Sequence, residues 1–243
     1  MTKKFSAETR CLANAPPRKS TFPVNIPILY AELHCISNFT FLRGASFPEE
    51  LVERADELGY QAIAITDECS LSGVVRAHTI AMERSVKLII GSEFLLAEGC
   101  RLVLLAANRI GYGELSHLIS CARMDSKKGT YFINRRMVEK NLPNDCLVLW
   151  VPDLQQSPEL IASQGVWLGR QFPGRLWIGV EMLLRGDDCS RLRSLQKLGT
   201  QYDIPLCAAG GVYMHDVSRR TLQDVLTAIR LAKPISELGF DVE

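Results

Sequence analysis

Three residues with metal-ligating chemistry each follow a short apolar run. His34 closes Ile28-Leu29-Tyr30-Ala31-Glu32-Leu33, Asp67 follows Ala62-Ile63-Ala64-Ile65-Thr66, and Glu93 follows Lys87-Leu88-Ile89-Ile90-Gly91-Ser92. An imidazole and carboxylates converging from successive strand ends can hold Zn or Mn and lower the pKa of a bound water, the chemistry of a metal-dependent hydrolase. Glu68, Glu181, His215 and Asp216 stand at comparable positions along the chain. Each residue also has a structural reading. Asp67 can cap the turn that follows it, His34 can be a satisfied core histidine, and Glu93 can pair with Lys87 or Arg101. His78 and His117 fall inside helical stretches and read as surface or packing residues.

The elements that would position these groups alternate in type. Strands are expected at 28–33, 62–66, 87–90, 102–106, 146–151, 176–180 and 205–209. Helices are expected at 48–58, 73–84, 112–123, 189–202 and 218–231. Pro48 near the first turn, with Glu49 and Glu50 at the positive end of the dipole and Gly59 beyond the last turn, marks the first helix well. Short apolar strands followed by helices predict an α/β protein with a parallel sheet, better suited to a closed or nearly closed barrel than to an all-β or all-helical fold. A doubly wound open sheet remains an alternative. The turn after the first strand, His34-Cys35-Ile36-Ser37-Asn38, lacks the Gly-rich fingerprint of a dinucleotide site. In a barrel, working residues sit at the C-terminal ends of the strands, where His34, Asp67 and Glu93 fall.

Composition narrows the function classes. The 243 residues are 47% hydrophobic and carry 28 basic against 27 acidic side chains, a net charge of +1. This excludes a wholesale basic surface but allows a local basic groove. No apolar run approaches the roughly 20 residues of a membrane span, so no membrane partner is expected. No apolar stretch follows Met1-Thr2-Lys3-Lys4 to suggest a secretory signal. Of the eight cysteines, no two lie within four residues of each other, which removes zinc-ribbon and thioredoxin motifs and suits buried thiols in a reducing cytoplasm. Residues 1–27, with Pro16, Pro17, Pro23 and Pro27 and no periodicity, are expected to form a flexible tail.

A basic stretch holds Arg123, Lys127, Lys128, Arg135, Arg136 and Lys140 beside Tyr131 and Phe132. Cations next to aromatics can grip phosphates and stack bases, so Lys127, Lys128, Arg135 and Arg136 are nucleic-acid-binding candidates. The alternative is a solvated surface segment that docks on another protein domain.

Longer strings carry a family resemblance. Tyr30 to Ser46, Ala62 to His78 and Leu88 to Phe94 resemble the first three motifs of the PHP (polymerase and histidinol phosphatase) domain. They look most like the version at the N-terminus of the error-prone, DNA polymerase III alpha-type (C-family) enzymes of bacteria. Leu102 to Arg109 and Leu222 to Arg230 resemble later blocks, so the resemblance spans residues 28–243. It implies a distorted seven-stranded (βα) barrel over that range, in an enzyme of damage-tolerant DNA replication and repair. It also implies a metal centre from which this sequence departs. His34 fills the first position of the His-x-His motif but Ile36 the second; Asp67-Glu68 stands for Asp-His; Gly91 and Glu93 are kept. Arg101 replaces a fourth-strand His, and Gly211 and Tyr213 stand for the last Asp-x-His.

Those departures predict a silent remnant centre at His34, Asp67 and Glu93 with no cofactor in this chain. Mn or Zn would bind only if the centre were occupied. Arg101 is expected to pair with Asp67 or Glu93. The polymerase catalytic domains, with their Mg ions, are expected to be absent from this chain, which alone would not polymerise DNA. Expected partners are the remaining polymerase domains, DNA through the whole enzyme, accessory polymerase subunits and the sliding clamp. An active metal-dependent PHP phosphoesterase is the competing reading, and only four histidines in the chain argue against it. An isolated barrel is expected to self-associate through the face that meets the polymerase core.

Overall fold

A computed structural model describes residues 30–238 apart from 125 and 185. The expected tail, 1–27, lies outside them. Seven strands form one sheet in sequence order: β1 (Ala31–Glu32), β2 (Ala62–Ile65), β3 (Lys87–Leu95), β4 (Arg101–Ala106), β5 (Cys146–Trp150), β6 (Leu176–Glu181) and β7 (Leu206–Ala209). The helices are α1 (Pro48–Glu57), α2 (Val74–Ala81), α3 (Arg109–Met124), α4 (Arg135–Lys140), α5 (Pro158–Gln171), α6 (Asp188–Tyr202) and α7 (Arg220–Leu231).

The sheet curls until its ends meet. Beyond β1 and β7, Cys35 bridges Val212 in parallel, with Ile36 N–H donating to the Val212 carbonyl at 2.8 Å and Val212 N–H to that of His34 at 2.9 Å. The buried Glu32 carboxylate accepts from the backbone of His34 and of Gly210 across the same seam. Position 210 must be glycine for this, because a Cβ there would lie 2.1 Å from Glu32 Oε2. The expected seven-stranded barrel is therefore present, nearly closed.

One expectation is corrected. The sheet is mixed, not parallel: β4 runs antiparallel to both β3 and β5. Only five residues, 96–100, join β3 to β4, and a parallel crossover needs a dozen or more. Gly99, at φ +76°, makes the turn. β3 is also twice as long as expected, its first half pairing with β2 and its second with β4. Two helices were not expected. Asn134 caps α4 by accepting from Met137 N–H at 2.9 Å, and Pro158 opens α5 behind its cap Ser157.

Apolar faces alternate along β4 as strand geometry demands. Leu102 and Leu104 join Phe94, Trp150 and Phe172 under the helices, while Val103 and Leu105 meet Ala64 and Leu149 on the other face. Leu51, Val52 and Ala55 of α1 cover Ile63 and Ile65 of β2. This packing fixes the strand ends, and therefore the side chains that project from them.

Candidate site at the barrel mouth

His34, fully buried at the end of β1, joins two carboxylates. Its Nε2 lies 2.8 Å from Glu93 Oε2, and its Nδ1 lies 2.6 Å from Glu181 Oε1 at the end of β6. The second Glu93 oxygen accepts from Arg43 Nη1 at 2.5 Å, and the same nitrogen donates to Glu68 Oε2 at 2.6 Å. Arg43 Nη2 donates to the Tyr213 hydroxyl at 3.0 Å. The Tyr131 hydroxyl donates to the other Glu68 oxygen at 2.7 Å. The result is a chain of groups in the order Glu181, His34, Glu93, Arg43, Glu68, Tyr131.

The local sequence explains how Arg43 arrives. Thr40, Leu42 and Gly44 fold the loop after β1 back on itself: Arg43 N–H donates to the Thr40 carbonyl at 3.0 Å, and Leu42 takes a left-handed φ of 61°. A Cβ at position 44 would lie 2.2 Å from the Ser37 carbonyl oxygen, so only glycine permits the return. Asp67 holds the base of this loop. Its two oxygens accept from Ser37 N–H (2.8 Å), Ser37 Oγ (2.7 Å) and Thr40 Oγ1 (2.8 Å). Asp67 is therefore buried beside the mouth as a loop anchor and is not joined by these bonds to His34 or Glu93.

The electrostatics follow from the pairing. Burial works against a charged His34, but the Glu181 and Glu93 carboxylates outweigh it and push its pKa up to about 9, so the ring is an imidazolium at neutral pH. Burial alone would raise Glu93; His34, Arg43 and Arg101 instead hold it well below the usual carboxylate range. Burial would lower Arg43, yet Glu93, Tyr213 and Glu68 keep it firmly protonated. Asp67 moves the other way, raised by burial that its hydrogen bonds only partly offset.

This arrangement does not fit a divalent cation. A ligating imidazole presents one unprotonated nitrogen to the metal; both nitrogens of His34 face carboxylates. Glu93 is shared between His34 and Arg43, and the guanidinium puts a fixed positive charge among the remaining donors. Ile36, fully buried, adds no donor. Among the described residues, no group of three or more His, Cys, Asp or Glu side chains is arranged to hold a metal ion.

Sequence reasoning brought His34 and Glu93 to one place, where the structure also puts them. It missed Arg43, which lies in a loop and not at a strand end, and Tyr131. Arg101 takes Glu93 of its two expected partners. Its Nε lies 3.9 Å from Glu93 Oε2, it makes no ion pair with Asp67, and it stays 37% exposed at the rim while Arg43 takes the inner place. His215 lies beside the mouth, its Nδ1 2.8 Å from Ser46 Oγ.

The basic stretch divides. Arg135 folds over the Trp167 ring at 5.2 Å and donates to Ser163 Oγ at 2.8 Å, packing α4 against α5. Lys127, Lys128 and Arg136 are exposed.

The profile of the PHP domain family matches residues 32–165, more than half of the chain. The chain belongs to the PHP domain family. This PHP domain is 52% identical over 215 residues to the error-prone DNA polymerase of Dechloromonas aromatica (strain RCB), covering 87% of this chain and 20% of that protein. It is 51% identical over 212 residues to the error-prone DNA polymerase of Methylococcus capsulatus, with the same coverage. The chain thus spans about a fifth of the length of the curated relatives it matches. Among solved structures, a Bifidobacterium adolescentis protein named for metal-dependent phosphoesterase activity superposes with a TM-score of 0.57 at 15% identity, covering 77% of this chain and 88% of that one. An amidohydrolase from Chromobacterium violaceum gives 0.55 at 14% identity, covering 76% and 87%. Both share the fold of this PHP domain. Its mouth, meanwhile, is occupied by the chain's own side chains.

Proposed function

We propose that this PHP domain is the N-terminal, non-catalytic module of an error-prone, DNA polymerase III alpha-type enzyme of the cytoplasm, and that it serves damage-tolerant DNA synthesis as a scaffold. The identity of about half over most of the domain to proteins of that name supports the parentage. The observation that carries the non-catalytic reading is the Arg43 guanidinium bound to Glu93 and Glu68. Where a hydrolytic centre needs a cation with an open position for water, this domain has a tethered cation whose donors are spent on carboxylates and a tyrosine. Mn, Zn and phosphoester turnover therefore have no role in this chain, and the Mg chemistry of nucleotidyl transfer belongs to the polymerase region of the whole enzyme.

The remaining polymerase domains are the first partner. DNA, accessory subunits and the sliding clamp are reached through them. Lys127, Lys128 and Arg136 contribute a solvated surface and not a base-stacking groove, because Arg135 is committed to Trp167 and Ser163.

The test pairs two assays on the native gene product. It is expected to extend a primer across damaged template. The PHP domain is expected to release no phosphate from model phosphoesters with Mn or Zn added. Metal-dependent turnover would favour the phosphoesterase reading, and a native product without polymerase activity would remove the scaffold reading.

A further inference from the structure

The loop that delivers Arg43 inward also holds a large apolar side chain outward. Phe41 is 84% exposed, next to Leu42 in its left-handed conformation and three residues before the sterically obligatory Gly44. A left-handed non-glycine residue is strained and persists only where its surroundings enforce it. Here they do. Arg43 is bound at the mouth, its carbonyl accepts from Gln223 Nε2 of α7 at 2.6 Å, and Ala45 N–H donates to the Tyr213 carbonyl at 2.8 Å. A rigid knuckle that spends backbone strain to expose a phenylalanine has the character of a docking anchor.

Phe41 lines a groove of about 270 Å³ together with Leu222 and Leu226 of α7. Asn38 Oδ1 in its lining is buried and accepts no hydrogen bond from the protein. The one cation of the lining, Arg219, is paired with Glu50. The groove therefore offers apolar surface with its cation already paired, which suits a protein segment with an apolar face and not a phosphate backbone. Apolar exposure continues along α7 through Ile229 to Ile235 in the 3₁₀ turn that follows.

We propose that the Phe41–Leu222 groove is the seat of the polymerase body of the same polypeptide. This rests on the reading of the domain as part of an error-prone polymerase. The relatives supply the occupant: four-fifths of their length lies outside the region this chain matches, so each carries a large body tethered to the homologous domain. On this view the Arg43 network is a rivet whose output is the position of Phe41, so the filled mouth acts by shaping an interface.

The experiment uses the native-length gene product with a photo-crosslinking phenylalanine analogue in place of Phe41, and mass spectrometry of the crosslinked peptides. A crosslink to a segment of the polymerase region within the same molecule is the expected result. Crosslinks only to residues 1–29, to a second copy or to a different protein, or none at all, overturn the groove assignment and leave the polymerase parentage standing. A native-length mass with no polymerase region would remove the parentage itself and this inference with it. As a second readout, Phe41→Asp in the native-length protein is expected to lower primer extension several-fold while Leu95→Asp, an exposed apolar position away from the groove, does not. Equal effects of the two would contradict the proposal.

Discussion

Arg43 Nη1 lies 2.5 Å from Glu93 Oε1, although the two residues come from a loop and a strand fifty positions apart. Glu93 is 1% exposed, so the guanidinium is its compensation and not a surface ornament. Removing one partner of such a pair strands the other charge in a poorly solvated place. Arg43→Ala is expected to cost about 3–5 kcal/mol of unfolding free energy, the range for breaking a buried pair. Arg43→Lys is expected to recover part of it, because one ammonium cannot reproduce the fork to Glu68, Glu93 and Tyr213. Urea unfolding of the three proteins checks this, and equal stability of all three would contradict the pairing.

The imidazolium of His34 gives stability a pH dependence with a defined sign. Its pKa rises on folding from 6.5 to about 9. Its contribution is therefore complete below pH 6.5 and is lost as pH climbs through about 9. Glu93 has the opposite sense: held below its ordinary value of 4.5, it stabilises above that pH and loses its contribution in acid. Glu32 and Asp67, raised by burial, run against Glu93 on the acid side. The alkaline limb is therefore the cleaner test. Unfolding free energy is expected to fall steadily between pH 6.5 and 8.5, and His34→Gln is expected to flatten that slope. An unchanged slope in the variant would assign the dependence elsewhere.

Asp67 anchors a loop, and its variants should behave accordingly. Asp67→Ala leaves the Ser37 and Thr40 donors without their acceptor. It is expected to destabilise the domain by about 2–4 kcal/mol, the sum of two or three hydrogen bonds to a charged group with some relaxation. The loss is expected to be the same with and without added Mn or Zn. A loss confined to metal-containing buffer would show Asp67 acting as a ligand.

Much of this site was visible in the sequence, and the reasons for the gaps are physical. His34 and Glu93 were found because both follow apolar runs, and strand ends in a barrel converge on its mouth. Arg43 was not, because a long side chain reaches into a site from a loop whose path depends on Gly44 and the left-handed Leu42, neither of which periodicity reveals. The strand expected at 87–90 stops short of Gly91. Gly91 is in fact a strand residue made small by close packing, since a Cβ there would lie 2.7 Å from Leu105 Cδ2 and 2.8 Å from the Leu104 carbonyl. That misreading hid the β3–β4 hairpin and with it the antiparallel part of the sheet. The barrel survives this error, because the alternation of strands and helices fixed the number of strands correctly even where the direction of β4 was missed.

The basic stretch gives a prediction with two arms. Lys127→Glu, Lys128→Glu and Arg136→Glu together are expected to leave both stability and DNA affinity of the native-length protein within about twofold, as for solvated surface charges. Arg135→Glu is expected to destabilise by about 1–3 kcal/mol, because the guanidinium lies over Trp167 and binds Ser163. Fluorescence anisotropy with a primer–template and thermal unfolding separate the two arms. A large drop in DNA affinity from the triple variant would make this stretch a nucleic-acid contact.

The Arg43 guanidinium lies among the carboxylates that a bound metal would need. Elemental analysis of the purified domain, incubated with Mn or Zn and then desalted, measures this directly. The predicted result is sub-stoichiometric metal with no release of phosphate from a phosphoester. Stoichiometric metal retained together with phosphoester turnover would contradict it.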